Sequence, residues 1–220
     1  MVDELIARLL PAVLFGSIAG GVLWLLGLIR KRAALTAATF LAVCFLAGRW
    51  SVTLAAAAQL AIVATGGWLL SFPTRLRLRD IVSLLAPATL AAIGAWGLGS
   101  SAYWDAAFGG GLAAGAAIWI GRAATDRFDG HAVRVLTLMP TQAGGLNGPG
   151  AVCSAVAAIA VLTALVALGF FGPGEPGLAL VGAGLGLAVA DYLRRDRMGV
   201  VLAASALGAL ATPLLVASLP

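Results

Sequence analysis

The residues of this chain best suited to chemistry lie in one stretch, 122–150. Its first half, RAATDRFDGHAVR, carries Asp126, Asp129, His131 and Arg134; its second, MPTQAGGLNGPGAV, carries Gly144, Gly145, Asn147, Gly148 and Gly150. Paired carboxylates can hold a divalent cation, and a histidine titrates near neutrality and can serve as a base. Glycines permit close backbone approach, and a helix that follows them presents unpaired amide groups. Together these features make a cradle for phosphate, with Arg134 and Arg79 as charge clamps and Asn147 as either a helix cap or a ligand contact. The same composition also suits a plain connector, since Pro, Gly and Asn clusters are how chains turn between elements. Asp126, Asp129 and His131 are therefore the candidate catalytic residues. Arg79, Arg134, Gly144, Gly145, Asn147, Gly148 and Gly150 are the candidate ligand-binding residues.

The elements that must position this stretch are membrane spans. The chain has 220 residues, 61% apolar and only 10% charged, and its mean hydropathy of +1.03 lies far from that of a soluble domain. Crossing the hydrocarbon core takes about 20 mostly apolar residues. Runs that meet this need occur near 9–29, 33–48, 50–72, 81–100, 104–121, 151–171, 176–193 and 198–218. Their Ala, Leu and Gly content shows none of the two-residue alternation of barrel strands. The sequence thus predicts one all-α domain over 1–220, a polytopic helical bundle of about eight spans. The second and seventh are among the shortest. Asp3 and Glu4 open the chain where a cleavable signal would be basic, so the first apolar run reads as a span.

Basic residues set the direction. Short cytoplasmic loops are enriched in Lys and Arg. With both termini outside, the cytoplasmic loops hold Arg30, Lys31, Arg32, Arg75, Arg77, Arg79, Arg122, Arg127, Arg134, Arg194, Arg195 and Arg197, leaving Arg8 and Arg49 outside. The stretch 122–150 is then a cytoplasmic loop. The net charge of +5 belongs to the membrane face, where it suits anionic headgroups and calls for no nucleic acid. The expected location is the cell membrane, as a multi-pass protein of a bacterial inner membrane, with the lipid bilayer as its first partner.

Inside the spans polar groups are few. Gln59, in the middle of the third, reads as an interhelical hydrogen-bonder. Gly16 with Gly20, Gly111 with Gly115, and Gly182 with Gly186 are small-residue pairs four apart that let helices pack closely. Cys44 and Cys153 lie in apolar runs and have no metal-ligand spacing.

A family resemblance rests on a series of short matches: Ala34-Leu35-Thr36 after a basic pair, Gly48 and Trp50, Thr74-Arg75, Arg79-Asp80 leading to Leu85-Ala86, and Phe108 with Leu112-Ala113-Ala114. The longest runs from Pro140 through Gly144-Gly145 to Gly150, and Asp196 precedes the last span. In these residues the chain resembles the integral membrane family that includes phytyl-phosphate kinase. The resemblance implies a lipid-phosphate kinase-like protein, or an inactive relative, that uses Mg²⁺, a nucleotide and a phosphorylated isoprenoid lipid. The family's acidic pair near the end of the fifth span is missing, since that region reads Ala116-Ala-Ile-Trp-Ile-Gly-Arg122; Asp126 and Asp129 are the nearest carboxylates to replace it. A second set of matches, Gly16-Ser17-Ile18 with Gly21, Gly130-His131, and Arg197 before Ser205 and Pro213, is similar to the bacterial membrane acyltransferase of glycerol 3-phosphate. That family's two glycine-rich loops are absent.

Three classes follow: a transferase of lipid metabolism with a cytoplasmic site, a small-molecule or lipid transporter, and a non-catalytic membrane subunit. A transporter would place its determinants at breaks near mid-membrane, where Pro87 and Pro213 stand. The enzyme class predicts saturable binding of CTP or ATP and of an isoprenoid phosphate in the presence of Mg²⁺, weakened in Asp129→Ala and Gly145→Val. A flat titration of the purified protein removes that class.

Overall fold

The computed structural model describes residues 2–47, 50–70, 75–98, 102–128, 146–172, 175–193 and 197–217. Backbone groups in hydrocarbon have no water to bond, so a spanning segment must satisfy them internally, and all eight apolar runs do so as helices. In chain order these are α1 (Val2–Leu25), α2 (Lys31–Ala47), α3 (Trp50–Leu69), α4 (Leu78–Leu98), α5 (Ala102–Arg127), α6 (Gly148–Ala167), α7 (Glu175–Leu193) and α8 (Arg197–Val216). Five of them, α1, α3, α4, α6 and α8, are long and apolar enough to cross a membrane. The architecture is that of an integral membrane protein.

Of the boundaries that differ from expectation, three shape the end of the bundle that holds the predicted site. The first helix stops at Leu25 because Gly27 takes a left-handed conformation (φ 73°). There the amides of Gly27 and Leu28 return to the carbonyls of Trp24 and Leu23, which closes the helix end. The fifth helix does not stop at 121 but continues to Arg127, so Arg122 and Asp126 belong to a helix and not to a loop. The sixth begins at Gly148, which puts Gly148 and Gly150 in its first turn.

α5 is the centre of the bundle. Every residue from 106 to 121 is buried, and the side chains responsible are mainly Ala and Gly. That explains its modest hydropathy: a helix wrapped by other helices need not be apolar enough to face lipid. Its 26 residues span roughly 39 Å at the helical rise, ample for a membrane crossing. Glycines let neighbours approach its backbone. A Cβ on Gly110 would stand 2.5 Å from the Gly208 carbonyl oxygen of α8, and one on Gly208 would stand 2.6 Å from the Gly110 carbonyl oxygen. Gly182 and Gly186 of α7 meet α8 in the same way, at Thr212 and at Gly208. Gly16 and Gly20 meet α2 at Ala38 and Ala34. The three small-residue pairs of the sequence are thus all helix contacts, Gly111 and Gly115 lying against Ser205 of α8.

Polar side chains finish the assembly by donating to α5 carbonyls that already serve their own helix. Gln59 Nε2 of α3 reaches the Leu112 oxygen at 2.8 Å, Ser205 Oγ of α8 reaches Gly111 at 2.9 Å, and Ser154 Oγ of α6 reaches Ala117 at 2.9 Å. Gln59 is fully buried and does what the sequence predicts of it.

The outer surface carries the marks of a bilayer. Exposed Trp50 and Trp68 cap the two ends of α3, separated by about 27 Å of helix, close to the thickness of a hydrocarbon core. Trp24 near the end of α1 and Tyr103 at the start of α5 are also exposed, so each end of the bundle bears aromatic side chains of the kind that settle at headgroup level. Large aliphatic side chains, among them Leu10, Leu14, Ile18, Leu90 and Val152, are exposed between these levels.

Gly110→Val should separate α5 from α8 and lower stability by about 1–3 kcal/mol, the usual range for overpacking. Gly184→Ala, on an open face of α7 with nothing within 4 Å of the added methyl, should change it by less than about 0.5 kcal/mol. Thermal denaturation in detergent, followed by loss of monodisperse elution, measures both. Equal effects would contradict the close packing.

Candidate functional site

One end of the bundle gathers the basic residues. The turn after α1 and the segment before α4 run side by side there: Ile29 and Leu76 form an isolated parallel bridge, with Arg30 N donating to the Leu76 oxygen at 3.1 Å and Leu76 N donating to the Leu28 oxygen at 3.0 Å. α4 is then tied to α5. Asp80 accepts from Arg77 N at 2.8 Å and from Trp119 Nε1 at 3.4 Å. Gly110 of α5 meets Gly208 of α8 while Gly115 meets Ser205, so the two helices run antiparallel and the first turn of α8 reaches the same end.

The structure places the predicted site residues unevenly. Asp129, His131, Arg134, Gly144 and Gly145 lie outside the described residues. Arg79 is exposed at the start of α4, and its carbonyl accepts from Ser83 Oγ at 2.9 Å. Asp126 is exposed in the last turn of α5. It is the only described carboxylate of the predicted magnesium pair, and among the described residues no group of three or more His, Cys, Asp and Glu side chains comes together.

Asn147 has the clearest role. Its side chain caps α6, with Oδ1 accepting from Gly150 N at 2.8 Å and from Thr125 Oγ1 at 3.2 Å. Its Nδ2 donates to the carbonyls of Thr125 at 3.4 Å and Phe128 at 3.3 Å, and its backbone N donates to Thr125 Oγ1 at 3.3 Å. All four hydrogen-bonding positions of the amide are used, so the residue locks the end of α5 to the start of α6. Of its two predicted roles, the structure uses it as a cap.

The glycines at this junction serve the same closure. A Cβ on Gly150 would lie 2.7 Å from the Gly121 oxygen. The amide of Gly150 goes to Asn147 Oδ1, that of Ala151 goes to the Asn147 carbonyl, and Pro149 has none. Three of the first four positions of α6 therefore offer no donor to an anion, which works against a cradle built on this helix start alone.

A feature without a motif lies beside this junction. Between the second half of α3 and the first half of α6 runs an apolar groove of about 490 Å³, lined by Ile62, Thr65, Gly66, Leu69, Val156 and Ala160 among others, with Ile120 of α5 also on its wall. Those halves are the ones nearest the basic end. Small residues make the space: Ala61 and Gly66 on α3, Ala157 and Ala160 on α6. Cys153 is the one thiol on the wall. Two turns beyond Ile120 on the same face of α5 stands Arg127, exposed in the helix's last turn. The signal for the groove was present in the sequence only as small residues on two helices that nothing in their order pairs.

The chain matches no family model, no curated protein and no solved structure.

Asn147→Ala should cost about 2 kcal/mol, combining a lost cap with lost interhelical bonds. Asn147→Asp, which keeps the acceptor for Gly150 N, should recover about half of that. Hydrogen exchange across 124–128 and 150–154 reads both, and unchanged protection in Asn147→Ala would refute the lock.

Proposed function

We propose that this protein is a multi-pass membrane protein that binds a single-chain phosphorylated lipid of the isoprenoid-phosphate class from the cytoplasmic leaflet. The observation that carries this reading is the apolar groove between α3 and α6, on the half of the bundle nearest the basic end. A groove lined by Ile62, Val156, Leu69 and Ile120 excludes polar ligands, because an unpaired polar group there loses its water without compensation. It accepts a hydrocarbon chain. The small side chains of Ala157 and Ala160 on its wall leave room for a single unbranched or methyl-branched chain.

The anionic head is recognised by charge. Arg127 stands beyond the groove on the same face of α5, where a guanidinium can take a phosphate through two parallel hydrogen bonds. Arg79, exposed in the first turn of α4, supplies further positive potential at the same end. The enrichment of cations in the loops at this end supports a cytoplasmic orientation, by the positive-inside rule. That orientation makes the ligand a lipid of the inner leaflet, and the expected setting is a bacterial inner membrane. Binding is the core of the reading, because the groove and the cation beyond it are what support it.

Cys153 provides a native reporter. Farnesyl phosphate should slow its labelling by an apolar maleimide in the detergent-solubilised protein, while farnesol should do so far less well. Ala157→Phe, which fills the groove, should abolish the protection; Arg127→Gln should weaken it about fivefold for one lost cation near the surface. Protection by farnesol equal to that by farnesyl phosphate, or none by either, would overturn the assignment.

A further inference from the structure

The two basic turns at the same end carry more structure than insertion charges need. Arg30, Lys31 and Arg32 follow α1, and Arg75, Arg77 and Arg79 lead into α4; all six are exposed. Charges that only orient a protein during insertion act through their number and side, with no requirement that the loops touch. Here the loops are joined. Ile29 and Leu76 are buried to 0% and 1% exposure on either side of the two bridge hydrogen bonds, which fixes the six cations as one patch. The guanidinium of Arg75 lies over the α1 turn, with one nitrogen 3.9 Å from where a Cβ of Gly27 would stand.

Holding like charges together costs free energy in the absence of an anion, and Lys31 and Arg32 sit in the first turn of α2, where the helix dipole also disfavours cations. The acid in the first turn of α4, Asp80, has both oxygens engaged by Arg77 N and Trp119 Nε1. Both donors are neutral, so Asp80 keeps its one negative charge and offsets only one of the six cations; the excess positive charge attracts an external anion. Leu26, Leu35 and Leu78, each within about a helical turn of these cations along the chain, are also exposed and give the patch apolar neighbours.

The geometry points to a preorganised seat for the phosphate of an anionic phospholipid, formed by the α1–α2 turn and the segment 75–77 before α4 and separate from the groove between α3 and α6. The acyl chains lie against the exposed leucines, and the phosphate sits between the two arginine sets. A lipid bound here clamps α2 to α4 at the basic end. Arg79 alone is shared with the head site of the groove, and the substitutions below leave it in place, so failure here and failure at the groove are distinguishable.

The test uses the full chain in vesicles or nanodiscs of phosphatidylglycerol or of phosphatidylcholine, followed by delipidation and native mass spectrometry. Phosphatidylglycerol should remain bound and raise the melting temperature; phosphatidylcholine should do neither. Arg30→Gln with Arg32→Gln and Arg77→Gln should weaken retention about a hundredfold, at roughly fivefold per cation. Leu76→Pro keeps every charge but removes the Leu76 amide bond, and it should reduce retention while circular dichroism and elution stay native. Should Leu76→Pro not fold, Arg30→Lys with Arg77→Lys tests the same point, since lysine keeps charge and loses bidentate geometry. Equal retention of both lipids, retention insensitive to the arginine substitutions, or full competition by inorganic phosphate at matched ionic strength would each overturn the proposal.

Discussion

Close approach of helix backbones to α5 is the constraint on which the rest of this structure depends. In a bilayer the hydrophobic effect does not draw apolar helices together, so association relies on van der Waals contact and a few hydrogen bonds. Both need short distances. Gly110 and Gly208 allow α5 and α8 to meet backbone to backbone, and Gly121 and Gly150 allow the same for α5 and α6. The hydroxyl and amide donors of Ser205, Ser154 and Gln59 can reach α5 carbonyls only because the helices are that close.

A centre made of small residues assigns opposite tasks to the remaining surface. Large aliphatic side chains are displaced outwards, where they meet lipid, and aromatic residues collect at both ends of α3 and at the ends of α1 and α5. Where small residues on α3 and α6 face a space that no helix fills, they leave a groove. The same residue types therefore build both the tightest contacts and an open groove. Which one results depends on whether a second helix fills the space.

The basic end combines two kinds of order. The junction of α5 and α6 is closed by short-range hydrogen bonds around Asn147, whose amide is fully satisfied internally. The turns after α1 and before α4 are joined through Ile29 and Leu76 but leave their cations facing outwards. Internal satisfaction gives the first a structural task. Uncompensated charge gives the second a reason to bind anions.

Much of this protein follows from sequence alone. Length and apolar content of each run decide that it is a helix in lipid, since the backbone's need for internal hydrogen bonds acts within a run of about 20 residues. A lone glutamine in an apolar helix announces an interhelical bond by an equally local rule. Tertiary structure alone decided that α5 is the hub, that Asn147 closes the junction of α5 and α6, that Ile29 meets Leu76, and that a groove separates α3 from α6. Each of these joins residues from separate helices or turns. Their contacts depend on crossing positions set by glycine and alanine on partner helices, and composition does not say which glycine faces which.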